Sequence, residues 1–468
     1  MEAEQSFVTW LTVAFAGWGG ELGLGSSLIN TLEVRWWQYA YTQTLISQEA
    51  PPFAFPDQSL LLSCEVTFDE PAATEAISLQ SYDPAADVWG EAEQLVGFGF
   101  VTVLPDDKTM VRNIWHVEEE IWAMSLWRDG QQVAAAATDA AFSFSFGQVD
   151  PTGQQLVVVT ADNETLFNLF DIAGCTTSSL CGLTPLPGFP FWSPDGAHAI
   201  IEITDSEFFV EMLPVNGRYV LFNLSDLVPA QELYLADAVG QPSLSLGIGY
   251  APFWLDDKTY AFVYTQENTQ EIRSGVVGEL LPQPILTLDD LLPYLPDESG
   301  QHPHYRFSYA FVEPSVPGKL FVAVLDTTSQ TIYVLAVDYT VGDAAHGDAA
   351  HGDIALLMQA GYHSGGMLSL SPDGHWLLMT GFAQDDPATP YVTTLFMHDL
   401  RTGVTRSLRM GDVYNFVGGS EFDWSADGKW LAVMLGTEGF VLSVPDEDYI
   451  QFVPYTGGLC AAVSWIDK

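Results

Sequence analysis

The stretch Ser371-Pro372-Asp373-Gly374 is a tight turn, and the chain repeats it. Pro presets φ at the first corner of a type I turn, Asp is well tolerated at the second, and Gly takes the left-handed conformation that returns the chain as a hairpin. The same phrase occurs at Ser193–Gly196 and, with Ala in place of Pro, at Ser425–Gly428. A hairpin that recurs at wide intervals predicts a repeat architecture built from one small β unit.

Weaker copies of the turn fit the same frame. Trp254-Leu-Asp-Asp-Lys-Thr-Tyr260 aligns without a gap against Trp424-Ser-Ala-Asp-Gly-Lys-Trp430, and Leu104–Lys108, Asp150–Gly153 and Glu313–Lys319 also match. Because these positions recur with the repeat, we expect their side chains to stabilise turns rather than to carry chemistry. The turn residues assigned in this way are Asp106, Asp195, Gly196, Asp257, Asp373, Gly374, Asp427 and Gly428.

Four short β-rich runs separate successive turns, and this spacing is typical of a propeller blade. One unit is split between the two ends of the chain. Val463–Lys468 resembles the strand that leads into a turn, whereas residues 58–96 read as a blade that lacks its first strand. We therefore predict an all-β protein, an eight-bladed β-propeller (seven-bladed as the alternative) over residues 58–468. Its first blade is shared between 58–96 and 460–468, which removes exposed sheet edges.

The Ser-Pro-Asp-Gly turn, with Trp before it and a Trp-Leu strand after it, resembles the TolB-type, WD40-like β-propeller repeat. The resemblance covers about residues 58–468 and is strongest at three copies of the turn. It implies an exported protein that binds other macromolecules. Some propellers of this kind cover the active site of serine peptidases, but no hydrolase domain follows here.

The repeat frame makes predictions about Cys and Trp residues. If Trp424 lies opposite Trp430, the equivalent positions in the split blade bring Cys64 and Cys460 together as cross-strand neighbours, within disulfide reach. Cys175 and Cys181 flank a short loop and could form a second bridge, and an even Cys count favours an oxidising compartment. The recurring aromatic residues before the turns are expected to pack between blades: Trp192, Trp254, Trp424 and Trp465.

Acidic residues number 61 against 14 basic residues, which gives a net charge of −47 at pH 7. A field of this sign repels phosphate backbones and anionic lipid surfaces, and it argues against nucleic-acid binding. It favours cationic partners, including Ca²⁺. The sequence has no apolar run of the ~20 residues that a transmembrane helix requires.

Candidate chemistry is sparse. Gly361–Gly366 contains His363 beside Ser364, but neighbouring strand residues point to opposite faces and are poorly placed as base and nucleophile. Oxygen ligands for a structural Ca²⁺ could come from acidic turns, although no calcium-loop motif is present. The His residues weighed for a transition metal are His302, His304, His346 and His351, and the acidic clusters are Asp289-Asp290, Asp385-Asp386 and Asp446–Asp448. We assign no catalytic, cofactor or metal residue.

Residues 1–57 form an aromatic N-terminal arm that ends in a Pro-rich connector, Glu49–Pro56. Leu28 to Ile46 suits either a helix or an extended segment. Because exposed aromatic side chains promote aggregation, we expect the arm to pack on its own propeller or to insert into a neighbouring subunit.

These observations predict an exported, extracytoplasmic propeller (secreted, periplasmic or at the cell surface) that binds a protein partner and catalyses nothing. Two alternatives remain at this stage. The first is a self-assembling cell-surface or filament subunit that uses the N-terminal arm. The second is an enzyme, a hydrolase or lyase, with an unrecognised site at the channel mouth.

Overall fold

The computed structural model describes residues 51–66, 76–96, 98–103, 109–116, 121–128, 131–138, 143–144, 150–160, 167–171, 183–203, 220–222, 231–266, 269–279, 281–296, 305–313, 315–339, 352–361, 366–383, 392–412, 420–435, 438–444, 450–453 and 459–467. This part of the chain is all-β, with antiparallel strand pairing throughout. Its helical segments are short: α1 (Leu288–Leu291) and a 3-10 turn (Leu292–Tyr294).

The described strands divide into consecutive units, most of them four-stranded, numbered here from the N-terminal end. Unit 1 contains β1 (Gln58–Val66), β2 (Ala76–Asp83), β3 (Val88–Trp89), β4 (Glu93–Val96) and the last strand of the chain, β33 (Leu459–Asp467). Unit 2 contains β5 (Phe98–Val103), β6 (Thr109–His116), β7 (Ile121–Arg128) and β8 (Gln131–Thr138). Unit 3 contains β9 (Ser143–Phe144), β10 (Gln155–Thr160), β11 (Phe167–Asp171) and β12 (Leu183–Leu186).

Units 4 and 5 share one long strand. Unit 4 contains β13 (Phe189–Trp192), β14 (His198–Ile203), β16 (Gln231–Asp237) and the first half of β17 (Pro242–Trp254). Unit 5 contains the second half of β17, then β18 (Thr259–Gln266), β19 (Thr269–Val276) and β20 (Gln283–Thr287). The halves of β17 pair with β16 and β18 respectively, so the outer edge of one unit continues into the first strand of the next.

The remaining strands complete three further units. Unit 6 contains β21 (Tyr305–Val312), β22 (Lys319–Asp326), β23 (Thr331–Asp338) and β24 (Ile354–Gly361). Unit 7 contains β25 (Gly366–Leu370), β26 (Trp376–Ala383), β27 (Val392–Asp399) and β28 (Val404–Asp412). Unit 8 contains β29 (Ser420–Trp424), β30 (Trp430–Leu435), β31 (Glu438–Ser443) and β32 (Ile450–Val453). One strand, β15 (Val220–Phe222), pairs with unit 7 although it lies between β14 and β16 of unit 4 in the chain.

The hydrophobic core lies between units rather than within them. From unit 3 onward, buried apolar side chains of one unit pack on those of the next. Separate clusters join units 3 and 4, 4 and 5, 5 and 6, 6 and 7, and 7 and 8. A further cluster joins unit 8 to unit 1, with Trp430 on one side and Leu60, Leu62 and Trp465 on the other.

The repeated turn has the predicted geometry. The buried Ser371 hydroxyl donates to Asp373 Oδ1 at 2.5 Å and accepts from the Trp376 amide at 2.9 Å. Asp373 Oδ1 also accepts from the His375 amide at 3.1 Å, and the Gly374 amide donates to the Ser371 carbonyl. The same bonds are present in the copies at Ser193–Gly196 and Ser425–Gly428.

Turns of neighbouring units also touch. Gly374 has φ +70°, and a Cβ placed on it would lie 2.8 Å from the carbonyl oxygen of Ser315, in the turn of unit 6. A Cβ on Gly428 would lie 3.1 Å from the carboxyl carbon of Asp373, in the turn of unit 7. Gly is therefore required here for its conformation and for the close approach of the preceding turn.

The weakest aligned turn differs from the prediction. Asp256, not Asp257, accepts the turn bonds, from the amides of Lys258 (2.8 Å) and Thr259 (2.7 Å), while Asp257 is exposed. The hairpin is one residue shorter at this turn than in unit 8. Trp254 pairs with Tyr260, whereas Trp424 pairs with Leu431. The gap-free alignment and the predicted opposition of Trp424 and Trp430 are therefore wrong by one residue.

The two ends of the described chain meet in unit 1. β33 pairs with β1 in antiparallel fashion, from Gln58 opposite Asp467 to Glu65 opposite Leu459. A β-bulge between Ser63 and Cys64 shifts the register by one residue, and this shift places Cys64 opposite Cys460. The bulge thus compensates for the one-residue error in the predicted frame. Cys64 is disulfide-bonded. Cys175 and Cys181 lie outside the described residues.

Tryptophans at the ends of first strands join neighbouring units, as their recurrence predicts. Trp254 Nε1 donates to the Phe191 carbonyl of unit 4 at 2.7 Å. Trp424 Nε1 donates to Ser369 Oγ of unit 7 at 3.2 Å. In each case the acceptor residue lies two positions before the turn serine of the preceding unit. Trp192 is also buried between units, but it donates to Ala238 within its own unit.

The same bond recurs where the chain ends meet. Trp465 Nε1 donates to the Asp423 carbonyl at 3.1 Å, and the Trp465 amide donates to Asp423 Oδ2 at 2.8 Å. Asp423 lies two positions before Ser425, the turn serine of unit 8. Unit 1 is therefore attached to unit 8 in the way that internal units are attached to each other.

The contact between turns can be tested by comparing two glycines. Gly374→Ala should lower the free energy of unfolding by roughly 2–4 kcal/mol, because left-handed strain adds to a clash with backbone. Gly403 has the same conformation (φ +71°) with nothing within 4 Å of an added Cβ, so Gly403→Ala should cost only about 1–2 kcal/mol. Urea denaturation measures both. Equal losses would show that the neighbouring turn does not constrain Gly374.

The Cys64–Cys460 bridge can be tested by removing it. It would close most of the chain into a loop, so the double variant Cys64→Ser/Cys460→Ser should lose roughly 4–5 kcal/mol. Cys175→Ser/Cys181→Ser is the matched control. Peptide mapping under non-reducing conditions should recover the Cys64 and Cys460 peptides as one species. Recovery of Cys64 joined to another cysteine, or as a free thiol, would disprove the pairing.

Candidate functional site

A strand from unit 4 pairs with unit 7. The chain leaves unit 4 after Ile203, forms β15 at Val220–Phe222 and returns to unit 4 at Gln231. β15 pairs in antiparallel fashion with β25, with Val220 opposite Leu368, Leu221 opposite Met367 and Phe222 opposite Gly366. β25 is the first strand of unit 7. One edge of β25 pairs with β26, and β15 pairs with the opposite edge.

A buried carboxylic acid lies at the end of β14, where the chain leaves unit 4. Glu202 is 3% exposed, opposite Phe189 on one side and Leu233 on the other. Burial raises its pKa to about 7, because the charged form loses its hydration. In the described part of the chain no hydrogen-bond donor compensates for this loss. Glu202 therefore changes charge near neutral pH.

The charge of the same carboxylate affects the pKa of Tyr309, on the first strand of unit 6. Burial raises the pKa of its phenol, and the negative charge of Glu202 raises it further. Its position follows a register shift between Phe307 and Tyr309, which leaves Ser308 unpaired with β22. Unit 4 is thus linked to unit 6 through electrostatics and to unit 7 through the pairing of β15 with β25.

A polar network joins the first strand of unit 5, β17, to the first strand of unit 6, β21. Tyr250 donates its hydroxyl to the Phe307 carbonyl at 2.7 Å. Gln270 completes the network, because its Nε2 donates to the Tyr250 hydroxyl (3.3 Å) and its Oε1 accepts from the Phe307 amide (3.0 Å). Burial raises the pKa of Tyr250 and lowers that of the adjacent Arg306 guanidinium. The network holds the strands in register rather than presenting a reactive group.

The Pro-rich connector packs on the seam between units 8 and 1. Phe55 stacks on Trp430 with ring centroids 4.2 Å apart, and Phe53 meets the same ring edge-on at 5.2 Å. Trp430 Nε1 donates to the Ala54 carbonyl at 3.2 Å. Gln58 accepts from the Ala426 amide in the turn of unit 8. The connector is thus fixed at the seam between units 8 and 1, and the part of the arm that precedes residue 51 lies outside the described residues.

Many of the residues singled out from the sequence lie outside the described chain. These are Asp106, Cys175, Cys181, His302, His304, His346, His351, His363, Ser364, Asp385, Asp386 and Asp446–Asp448. Asp289 and Asp290 lie in the first turn of α1, where Asp290 accepts from the Thr287 amide and hydroxyl as a helix cap. In the residues that the structure describes, no group of three or more His, Cys, Asp or Glu side chains could hold a metal ion.

Similarity to proteins of known structure was found in the fold. AztD from Citrobacter koseri, in its apo form, is 10% identical, covering 87% of this chain and 98% of that one, with a TM-score of 0.49. A putative TolB from Agrobacterium tumefaciens is 14% identical over 76% of this chain and 100% of its own, with a TM-score of 0.34. The β-propeller domain of the Trilobed protease from Pyrococcus furiosus is 10% identical over 87% and 98%, with a TM-score of 0.36.

No family model matches the sequence, and no curated protein does. In the described residues, no helix is both long enough and apolar enough to cross a membrane.

Neither Glu202 nor β15 was predicted from the sequence. Glu202 stands in the run Ile200-Ile201-Glu202-Ile203, and a carboxylate inside an apolar strand was a signal that could have identified it. Tyr219–Phe222 is apolar enough to suggest a strand, but its partner lies far along the chain and no local pattern identifies it.

The ionisation of Glu202 predicts a pH effect on stability. Its pKa is raised from about 4.5 in the unfolded chain to about 7, so folding retains a proton that unfolding releases. Stability should be unaffected below pH 4.5, fall as the pH rises from 4.5 to 7, and stay low above that. Glu202→Gln should therefore raise the free energy of unfolding at pH 8 by on the order of 3 kcal/mol, with little effect at pH 4.

The control for this prediction is Glu232→Gln, at an exposed carboxylate on the neighbouring strand β16. Urea denaturation at pH 4, 6 and 8 gives the free energy of unfolding of each protein at the three pH values. If the difference in free energy of unfolding between Glu202→Gln and the parent protein does not grow with pH, burial does not raise the pKa of Glu202 as described.

Proposed function

We propose that this chain is an exported, non-catalytic eight-bladed β-propeller that binds a protein partner with a basic surface. The units described above are its blades, and β33 closes the ring with β1. Support for closure comes from Trp465, which bonds to the preceding unit as Trp254 and Trp424 do. The disulfide at Cys64 supports export, because such bonds persist in oxidising compartments.

The observation that carries the choice of partner is how the fold uses its few basic residues. Several are ion-paired within the described chain, so each cancels the charge of one neighbouring carboxylate and the excess of acidic residues is left unpaired. Arg112 illustrates this: it is 5% exposed, binds both Glu93 oxygens at 2.7 and 2.8 Å across units 1 and 2, and lies 4.0 Å from the centre of the Trp127 ring. Other pairs are Arg273–Glu271, Lys319–Asp338, Arg401–Asp399 and Lys429–Asp427.

An acidic surface of this kind attracts cationic surfaces through long-range electrostatics. Rigid, bonded turns on one face leave recognition to the loops and to the edges of the first strands. Salt screens interactions between exposed charges, so affinity for a basic partner should depend strongly on ionic strength.

Affinity capture tests this function. The immobilised protein should retain a specific partner from the extracytoplasmic fraction of its source cells, identified by quantitative mass spectrometry. With the purified partner, raising NaCl from about 50 to about 500 mM should weaken binding at least 10-fold, as expected when exposed charges are screened. Heat-unfolded protein at the same density is the control. Absence of a saturable partner, or binding that does not change with salt, would contradict the proposal.

An enzymatic function would give a different result. Glu202 is the one described carboxyl group whose pKa lies near neutrality, so it is the acid or base to remove first. Turnover of a glycan or peptide substrate that Glu202→Gln abolishes, while the variant remains folded, would replace the binding proposal by a hydrolase or lyase.

Self-assembly through the N-terminal arm is the second candidate function. It is favoured by the position of the connector, which Phe53 and Phe55 hold against Trp430 at the seam between units 8 and 1. Deleting residues 1–50 distinguishes the two functions by light scattering. A subunit that assembles through the arm should become monomeric, whereas a receptor for another protein should keep its oligomeric state.

A further inference from the structure

The first strand of unit 7 has a filled edge. First strands of propeller-like units face the centre and leave one row of backbone N–H and C=O groups unpaired. In the described part of the chain, β5, β13, β21 and β29 each stand at the end of their strand order, whereas β25 is flanked by β26 and by β15. β15 is not part of unit 7, since it comes from the segment between β14 and β16 of unit 4.

The structure therefore already shows what this edge binds. Its occupant is an extended segment that adds to the sheet through the main chain, with the sequence Val-Leu-Phe after Tyr219. These are β-branched, apolar and aromatic residue types, which favour strands. On the protein side, Leu368 is buried in the core between units 6 and 7, so the edge strand itself is firmly held.

The contact is short. Among the described residues, three pairs join β15 to β25, whereas a full pair of strands within unit 7, β26 and β27, has eight. A short segment held by a tether occupies its site through its high effective concentration rather than through its own affinity. Such an occupant can be displaced by a longer strand that makes more main-chain bonds.

We propose that the edge of β25 is a peptide-binding site that the chain's own Val220–Phe222 covers until an extended, apolar segment of a partner protein displaces it by β-augmentation. The inference deepens the proposed function, because it names where and in what form part of the partner is held. The basic surface of the partner would meet the acidic exterior, while its extended segment adds to unit 7.

The test uses a peptide probe and variants of the whole protein. The probe is a fluorescein-labelled peptide with the sequence of residues 216–225, Asn-Gly-Arg-Tyr-Val-Leu-Phe-Asn-Leu-Ser. Leu221→Pro removes a backbone donor and disfavours β15, so it should free the edge. Ser225→Pro, outside β15 but in the same segment of the chain, is the matched control. Fluorescence anisotropy should show at least 10-fold tighter binding of the probe by Leu221→Pro than by the parent protein or Ser225→Pro.

Hydrogen exchange locates the binding. The amides of Gly366–Leu368 should exchange faster in Leu221→Pro than in the parent protein, and the probe should restore their protection. A probe with Pro at the position of Leu221 should do neither. Unchanged exchange at these amides in Leu221→Pro, or equal probe binding by all three proteins, would overturn the proposal.

Three further outcomes are informative. If Leu221→Pro fails to fold, the parent protein with excess probe still decides, because displacement of β15 should expose its amides while those of β25 stay protected. If Leu221→Pro dimerises by exchanging the segment between copies, the edge binds β15 only as part of a second chain, and the partner-peptide proposal is wrong. Capture of a salt-sensitive partner whose binding is unaffected by Leu221→Pro and by the probe would uphold the proposed function and reject this site.

Discussion

Burial of each sheet against the next is the constraint on which this structure depends. A four-stranded unit has apolar side chains on both faces and can bury them only by packing between two others. Trp254, Trp424 and Trp465 each contribute twice, because the ring fills the space between units and its Nε1 bonds to the preceding one. A repeat held in this way has two unsatisfied ends unless the last unit meets the first, and in this chain β33 pairs with β1.

The turns follow from the same constraint. Ser371, Asp373 and Gly374 form a closed set of hydrogen bonds, so the loop is rigid without help from other segments. Because Gly374 also lies against the turn of unit 6, the turn sets the distance between units as well as the course of one chain. Residues that recur in every repeat are thus committed to architecture. Functional residues should then be those that break the repeat, and Glu202 and Val220–Phe222 do so.

The electrostatic character of the molecule has a related origin. With few basic residues, the chain places guanidinium groups where they join units or stack on aromatic rings, as Arg112 does between Glu93 and Trp127. The acidic excess is left for solvent and partners. Glu202 is a buried carboxylate whose pKa is raised to about 7 by the loss of hydration. A group of this kind destabilises the fold above neutral pH, and such a cost is commonly retained where it serves a function.

The sequence by itself determined the β class, the repeated turn, the interfaces that hold tryptophan and the meeting of the chain ends, because each depends on local residue type or on recurrence. It also indicated that Cys64 and Cys460 are cross-strand neighbours. The predicted register was wrong by one residue, and the β-bulge between Ser63 and Cys64 compensates for that error. Only the tertiary structure decided that Asp256 replaces Asp257 in its turn, that Glu202 lies near Tyr309, and that Val220–Phe222 pairs with unit 7. These depend on register and on contacts between distant segments, which the pairing of the whole chain sets and no local pattern encodes.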